Sequence, residues 1–95
     1  REAEDALSRG NVDLKQIDFV THPTDRVWTR DSGPIFVVNK KGEKALIDWK
    51  FNAWAKYDNW QQDDKVPTTI AKKFGVQRFV PEVKGQRVVL EGGSI

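Results

Sequence analysis

There is no cysteine in this chain, which excludes disulfides, cysteine-ligated zinc and any thiol nucleophile from its 95 residues. Histidine is nearly absent too. His22 stands alone before Pro23, and no His/Cys/acid cluster with ligand spacing surrounds it, so neither a metal site nor catalysis is expected of it. No apolar run reaches the length of a membrane span, and the start, Arg1-Glu2-Ala3-Glu4-Asp5, is charged where a signal peptide would be apolar. A dominant charge is missing as well: 16 basic and 14 acidic residues leave +2, scattered along the chain, which argues against nucleic acid as a partner. Gly92-Gly93 lacks the spacing of a phosphate-cradling loop. The absence of cysteine is compatible with a cytoplasmic origin.

Apolar residues are also scarce for a self-contained domain of this size, at 38% with a mean hydropathy of −0.64. Such a balance suits a piece whose buried faces expect further strands. The chain begins with Arg1 and stops soon after a glycine pair, and both ends read as cuts.

What is present divides into short elements. Glu2 to Arg9 reads as a helix, with acids leading and Arg9 closing before Gly10. Ile17 to Thr21 alternates like a strand, ended by Pro23, and Asp25 to Asp31 follows as a loop. Ile35-Phe36-Val37-Val38 reads as a strand buried on both faces, and Asn39 to Glu43 as a hairpin turn with Gly42 at positive φ. Ala45 to Phe51 returns as a strand with Ile47, Trp49 and Phe51 on one side. Asn52 to Gln62 has no period and is expected as a long ordered loop. A helix capped by Asp63 or Asp64 carries Val66, Ile70 and Phe74 as an apolar stripe and stops at Gly75. Gln77 to Val80 and Arg87 to Leu90 are two further strands. Helices among mixed strands give an α/β class.

Two stretches share one design. Trp28-Thr29-Arg30-Asp31-Ser32-Gly33-Pro34 and Leu90-Glu91-Gly92-Gly93-Ser94-Ile95 each set a carboxylate near glycine at the edge of an apolar run. The first adds a tryptophan three residues before its acid. An acid beside an aromatic face suits a flat cation, and a guanidinium fits best: it is planar, always charged and forked toward carboxylate oxygens. Plainer roles are open at every position. Asp31 can pair with Arg30 or cap the bend at Gly33-Pro34, Trp28 can fill a gap, and Glu91 can be solvated.

With Asp48-Trp49-Lys50-Phe51-Asn52-Ala53-Trp54 between them, these stretches resemble the agmatine deiminase family, which includes the bacterial-type peptidylarginine deiminases. The resemblance runs from about Ile17 to the end. It implies a partial, truncated pentein-type α/β propeller built of ββαβ modules, with residues 1–95 as the N-terminal portion of a guanidine-deiminase domain. By the resemblance Asp31 and Glu91 clamp the guanidinium and serve the chemistry, and Trp28 lines the substrate channel. Arg30 orients Asp31 or pairs with an acid, and Gly92 and Gly93 supply room. Asn52 and Trp54 match a motif at the site rim, with loop packing as an equal alternative. Asp25 lies three residues before Trp28 where the family often has an acid two before, so a direct role for it is in doubt.

The reaction implied is hydrolysis of a guanidine to a urea, with loss of ammonia, through a cysteine-thiouronium intermediate and a histidine acid/base. With agmatine as substrate it belongs to polyamine metabolism, on the way to putrescine. It needs no cofactor or metal. The expected partner is a small-molecule guanidinium substrate, without nucleic acid or membrane, and a homodimer is open for the complete enzyme. Agmatine and the arginine side chain are both open as substrates. The family's cysteine and histidine lie beyond the Glu-Gly-Gly motif, so the fragment alone is expected to be inactive. The alternative is a non-catalytic guanidinium-binding or interaction module.

Overall fold

A computed structural model describes residues 1–95. Helix α1 (Glu2–Arg9) carries Glu2, Glu4 and Asp5 in its first turn and Arg9 in its last, so each sign offsets the helix dipole. It buries no residue. A 3-10 turn, Leu14–Gln16, follows, with Asp13 accepting from the Lys15 N–H.

The strand expected over Ile17 to Thr21 does not form. Alternation supplies two faces but not a neighbour, and here no strand lies alongside. The segment is held by side chains instead. Lys73 Nζ donates to the Phe19 carbonyl, and the His22 ring spans Thr69 Oγ1 (2.8 Å) and the Gln62 carbonyl (2.7 Å). That carbonyl can only accept, so His22 Nε2 carries a proton.

Strand β1 (Ile35–Val38) pairs antiparallel with β2 (Lys44–Ile47), Ile35 facing Ile47 and Val38 facing Lys44. The turn is shaped by Asn39, whose Oδ1 accepts from the N–H of Lys41 and Glu43, and by Gly42 at φ 81°. The chain then crosses through a 3-10 turn (Asp63–Lys65) and α3 (Val66–Phe74) to β3 (Gln77–Phe79), which lies parallel to β2. The sheet order is β1-β2-β3. Short β4 (Glu82–Val83) and β5 (Gln86–Arg87) make a separate hairpin about Lys84 and Gly85, both at positive φ as a tight two-residue turn requires.

Several expectations change. β2 ends at Ile47, not Phe51; beyond it only Lys50 keeps a bridge, to Val89. Leu46 is buried within it, and Asp48 and Phe51 are buried just beyond its end. The strand expected over Arg87 to Leu90 is reduced to Gln86–Arg87 plus that bridge. α3 has no side-chain cap, because the carboxylates of Asp63 and Asp64 bond other segments. It buries Pro67 and Ala71, small residues that let the helix approach the sheet, while Phe74 of the expected stripe is 43% exposed. Gly75 ends the helix in the left-handed region, φ 63°.

β1 is not buried on both faces: Phe36, Val37 and Val38 are exposed. The core is small, with Leu46, Phe51, Ala53 and Ala71 as its buried apolar residues. The accessible surface is 7315 Å², against roughly 5,600 Å² for a closed monomer of this mass. No helix is long and apolar enough to cross a membrane.

Candidate functional site

Asp31 lies in α2 (Thr29–Ser32), a single helical turn where a loop was expected. The turn closes on Gly33, whose N–H reaches the Thr29 carbonyl at 2.8 Å. A Cβ at Gly33 would stand 2.6 Å from that same oxygen, so only glycine lets the turn close so tightly. The turn presents Asp31 to the far end of the chain. Asp31 Oδ1 accepts from the Gly92 N–H at 2.8 Å across 61 residues of sequence. Asp31 Oδ2 has no hydrogen-bond partner within the chain.

Arg30 completes the joint. It makes no ion pair with Asp31 or with any other acid, so the pairing alternative expected for it is not seen. Its Nε donates to the Gly92 carbonyl at 3.0 Å, and its guanidinium reaches the main-chain oxygen of Ile95 at 3.2 Å. Gly92 is thus bonded at both its N–H and its C=O by neighbouring residues of one turn. A Cβ at Gly92 would sit 2.5 Å from the Arg30 carbonyl, so this close backbone approach requires glycine. Gly93 has open space around it. Glu91 is exposed, and its carbonyl accepts from the N–H and Oγ of Ser94.

An aromatic row runs alongside. Trp28, 56% exposed, meets Trp54 edge to face at 6.2 Å between centroids. Trp54 in turn meets Phe51 at 5.6 Å and Tyr57 at 6.1 Å. Arg26 stacks its guanidinium 3.9 Å from the Tyr57 centroid. Asn52 caps the 3-10 turn Ala53–Ala55, accepting from the Ala55 N–H at 3.2 Å. Within that turn Ala53, Trp54 and Ala55 are all left-handed, with φ of 52°, 60° and 55°. Three consecutive side-chain-bearing residues in that region are strained.

Asp25 takes a structural place. It accepts from the Gln62 N–H at 2.9 Å, while the buried Asp63 accepts from the N–H of Asp25 and of Arg26. These two acids latch the loop before Trp28 to the start of α3.

One cluster escaped the sequence reading. Arg87 forks onto Asp64, at 2.6 and 3.2 Å, and also reaches Asp48 Oδ1 at 3.0 Å. Asp64 Oδ1 accepts from the Phe51 N–H as well. Arg78 approaches Asp48 at 3.6 Å from the other side. Burial of Asp48 pushes its carboxyl above the ordinary range, against the opposing pull of Arg87 and Arg78. Burial works against the charge on Arg87, but the hydrogen bond and charge of Asp64, and then Asp48, outweigh it and hold the group above its ordinary value. Asp48 opens the Asp48 to Trp54 stretch and Asp64 was a candidate helix cap, but nothing in the sequence links either of them to Arg87.

A family model described as Porphyromonas-type peptidyl-arginine deiminase matches residues 1–95. The chain belongs to that family. The match extends over the whole chain, beyond the Ile17 start read from the motifs. Among curated relatives, an agmatine deiminase of Ectopseudomonas mendocina is 41% identical over 93 residues, and one of Pseudomonas syringae pv. tomato is 37% identical over 93. Each match covers 93% of this chain and 24% of the relative, so the chain spans about a quarter of their length. Among solved structures, the agmatine deiminase of Enterococcus faecalis superposes with a TM-score of 0.71 at 35% identity, over 90% of this chain and 24% of that one. An X-ray structure of a candidate agmatine deiminase gives 0.76 at 35%, over 99% and 26%. As a peptidyl-arginine deiminase family member, the chain is a mixed α/β fold matching part of these structures, and it carries no cysteine nucleophile.

Proposed function

We propose that this chain supplies the acidic and aromatic part of a guanidine-deiminase site, as the N-terminal portion of a propeller of ββαβ modules. The observation that carries the reading is the state of Asp31. One of its oxygens is held by the Gly92 N–H while the other has no hydrogen-bond partner in the chain, and the same short turn starts at Trp28, whose side chain is exposed. A carboxylate fixed by one oxygen is pre-aimed with the other, and no ordering of the side chain remains to oppose binding. Asp31 and Glu91 then hold the guanidinium nitrogens, and Trp28, backed by Trp54, packs on the flat cation or its alkyl arm. Gly92 and Arg30 hold the two motifs together. The thiol that attacks the guanidinium carbon, and the histidine that protonates the departing ammonia, come from polypeptide outside these residues. The product is a urea, and agmatine is the substrate suggested by the relatives' names. A second reading is a guanidinium-binding module without turnover.

The test is a titration of agmatine into the chain, followed through the indole N–H resonances of its tryptophans and the Gly92 amide. Saturable shifts at Trp28 and Gly92 are expected, and Asp31→Asn abolishes them while the β1–β2 amides stay unchanged. An Asp31→Asn chain that binds agmatine as well as the parent refutes the reading. Ammonia release from a polypeptide of the relatives' length carrying this chain separates the enzyme from the module.

A further inference from the structure

The contacts around the candidate site form a closed circuit. Trp28 leads along α2 to Asp31, and Asp31 bonds Gly92. From Gly92 the chain runs back to Val88, whose carbonyl accepts from the Lys50 N–H at 2.9 Å. Lys50 leads to Phe51, which meets Trp54 edge to face, and Trp54 meets Trp28 in the same way. Most joints of this circuit are single hydrogen bonds or ring contacts. One place is anchored by charge. Arg87, next to Val88, grips Asp64, and Asp64 also accepts the Phe51 N–H.

We propose that Arg87 is a positioning residue for the guanidinium site, setting the spacing between the segment that ends in Glu91 and the segment that carries Trp54. The proposal rests on the guanidinium-binding reading above. Its geometry is specific. The two terminal nitrogens of Arg87 make three bonds to two carboxylates, and one of them also faces the Trp49 carbonyl at 3.4 Å. Its Nε is buried without an acceptor, so those two nitrogens carry all the anchoring. Asp48 and Trp49 precede Lys50, and Asp64 binds the residue after it. The guanidinium therefore fixes the backbone of 48–51 from two points, at the place where β2 has ended and ladder bonds are sparse. A lysine could hold one carboxylate at a time but not this fork. Arg87 touches neither Asp31 nor Trp28, so it acts only through the two segments it spaces.

Arg87→Lys and Asp64→Asn in the 95-residue chain test this, with agmatine as the probe. Affinity is read by the titration above, and hydrogen exchange at the Gly92 amide is read without ligand. The expected result for Arg87→Lys is a dissociation constant raised by about tenfold. Gly92 exchange quickens, while the β1–β2 amides keep their protection. Asp64→Asn retains an acceptor for the Phe51 N–H and decides the matter where Arg87→Lys does not fold. Unchanged affinity and Gly92 exchange in the folded variant overturn the role of Arg87 and leave the guanidinium site standing. Equal loss of protection at Gly92 and across β1–β2 also overturns it, because Arg87 is then a general anchor of the fold. A parent chain that does not respond to agmatine overturns the underlying reading and this one together.

Discussion

Gly92 and Gly93 are neighbours with the same side chain and opposite tolerances. A Cβ on Gly92 would meet the backbone of Arg30, whereas one on Gly93 would meet nothing within 4 Å. Gly92→Ala must push the Glu91 loop off α2, at about 1–3 kcal/mol, a typical cost of overpacking. Its expected effect is loss of the Asp31–Gly92 bond and of agmatine binding, with Gly93→Ala close to the parent in both. Amide exchange and the agmatine titration check this, and equal behaviour of the two variants contradicts it. At this scale the sequence was informative where a motif existed. Asp31 and Glu91 were picked out by chemistry, and Gly92 by its room for close approach. What it could not show was the partner of each group. Arg30 stands beside an acid in sequence but spends its donors on backbone oxygens 62 and 65 residues away. Arg87, Asp64 and Asp48 lie well apart in the sequence, and only the fold makes one cluster of them.

Turns and helix ends were the legible elements, because glycine and proline act locally. Gly42, Gly75 and Pro67 stand where their backbone preferences put them. Strands were less legible, since pairing is not local. Ile17 to Thr21 alternates without finding a neighbour, and β2 loses its neighbours before its pattern ends. The turn Ala53–Ala55 was hidden altogether, for no glycine announces its left-handed backbone. That makes it a sensitive place to act. Ala55 is exposed and sits at φ 55°. Ala55→Gly removes the clash of its Cβ and is expected to stabilise the chain by roughly 0.5–1 kcal/mol, net of the added freedom of the unfolded state. A denaturant midpoint that falls instead would show that the turn is unstrained.

The whole molecule is open for its mass. Its radius of gyration is 15.0 Å, where a compact chain of this length has about 12 Å. Only 9 of 95 residues are buried, which accords with the polar composition. Part of the uncovered surface forms one groove. Phe36 and Val38 of β1 and Phe74 at the end of α3 line an open groove of about 500 Å³ with Val76, Asp18 and Lys44. β1 is also the edge of its sheet. An apolar face beside an unpaired edge favours association. Sedimentation velocity is expected to show self-association that rises with concentration, and Val38→Lys to reduce it. A parent chain that stays monomeric at every concentration would contradict this.

The Asp31–Gly92 bond also has a timetable. It closes a loop of 61 residues, and such closure opposes early formation because distant segments must meet first. On a ribosome, Trp28, Arg30 and Asp31 emerge well before Gly92 does, by about 3–12 s at ordinary elongation rates. Through that interval Arg30 lacks the oxygens it will hold, and α2, a single turn, has little to keep it helical. The cradle is therefore completed at the end of this stretch of synthesis, and the sheet β1-β2-β3, finished by Phe79, can be in place to receive it.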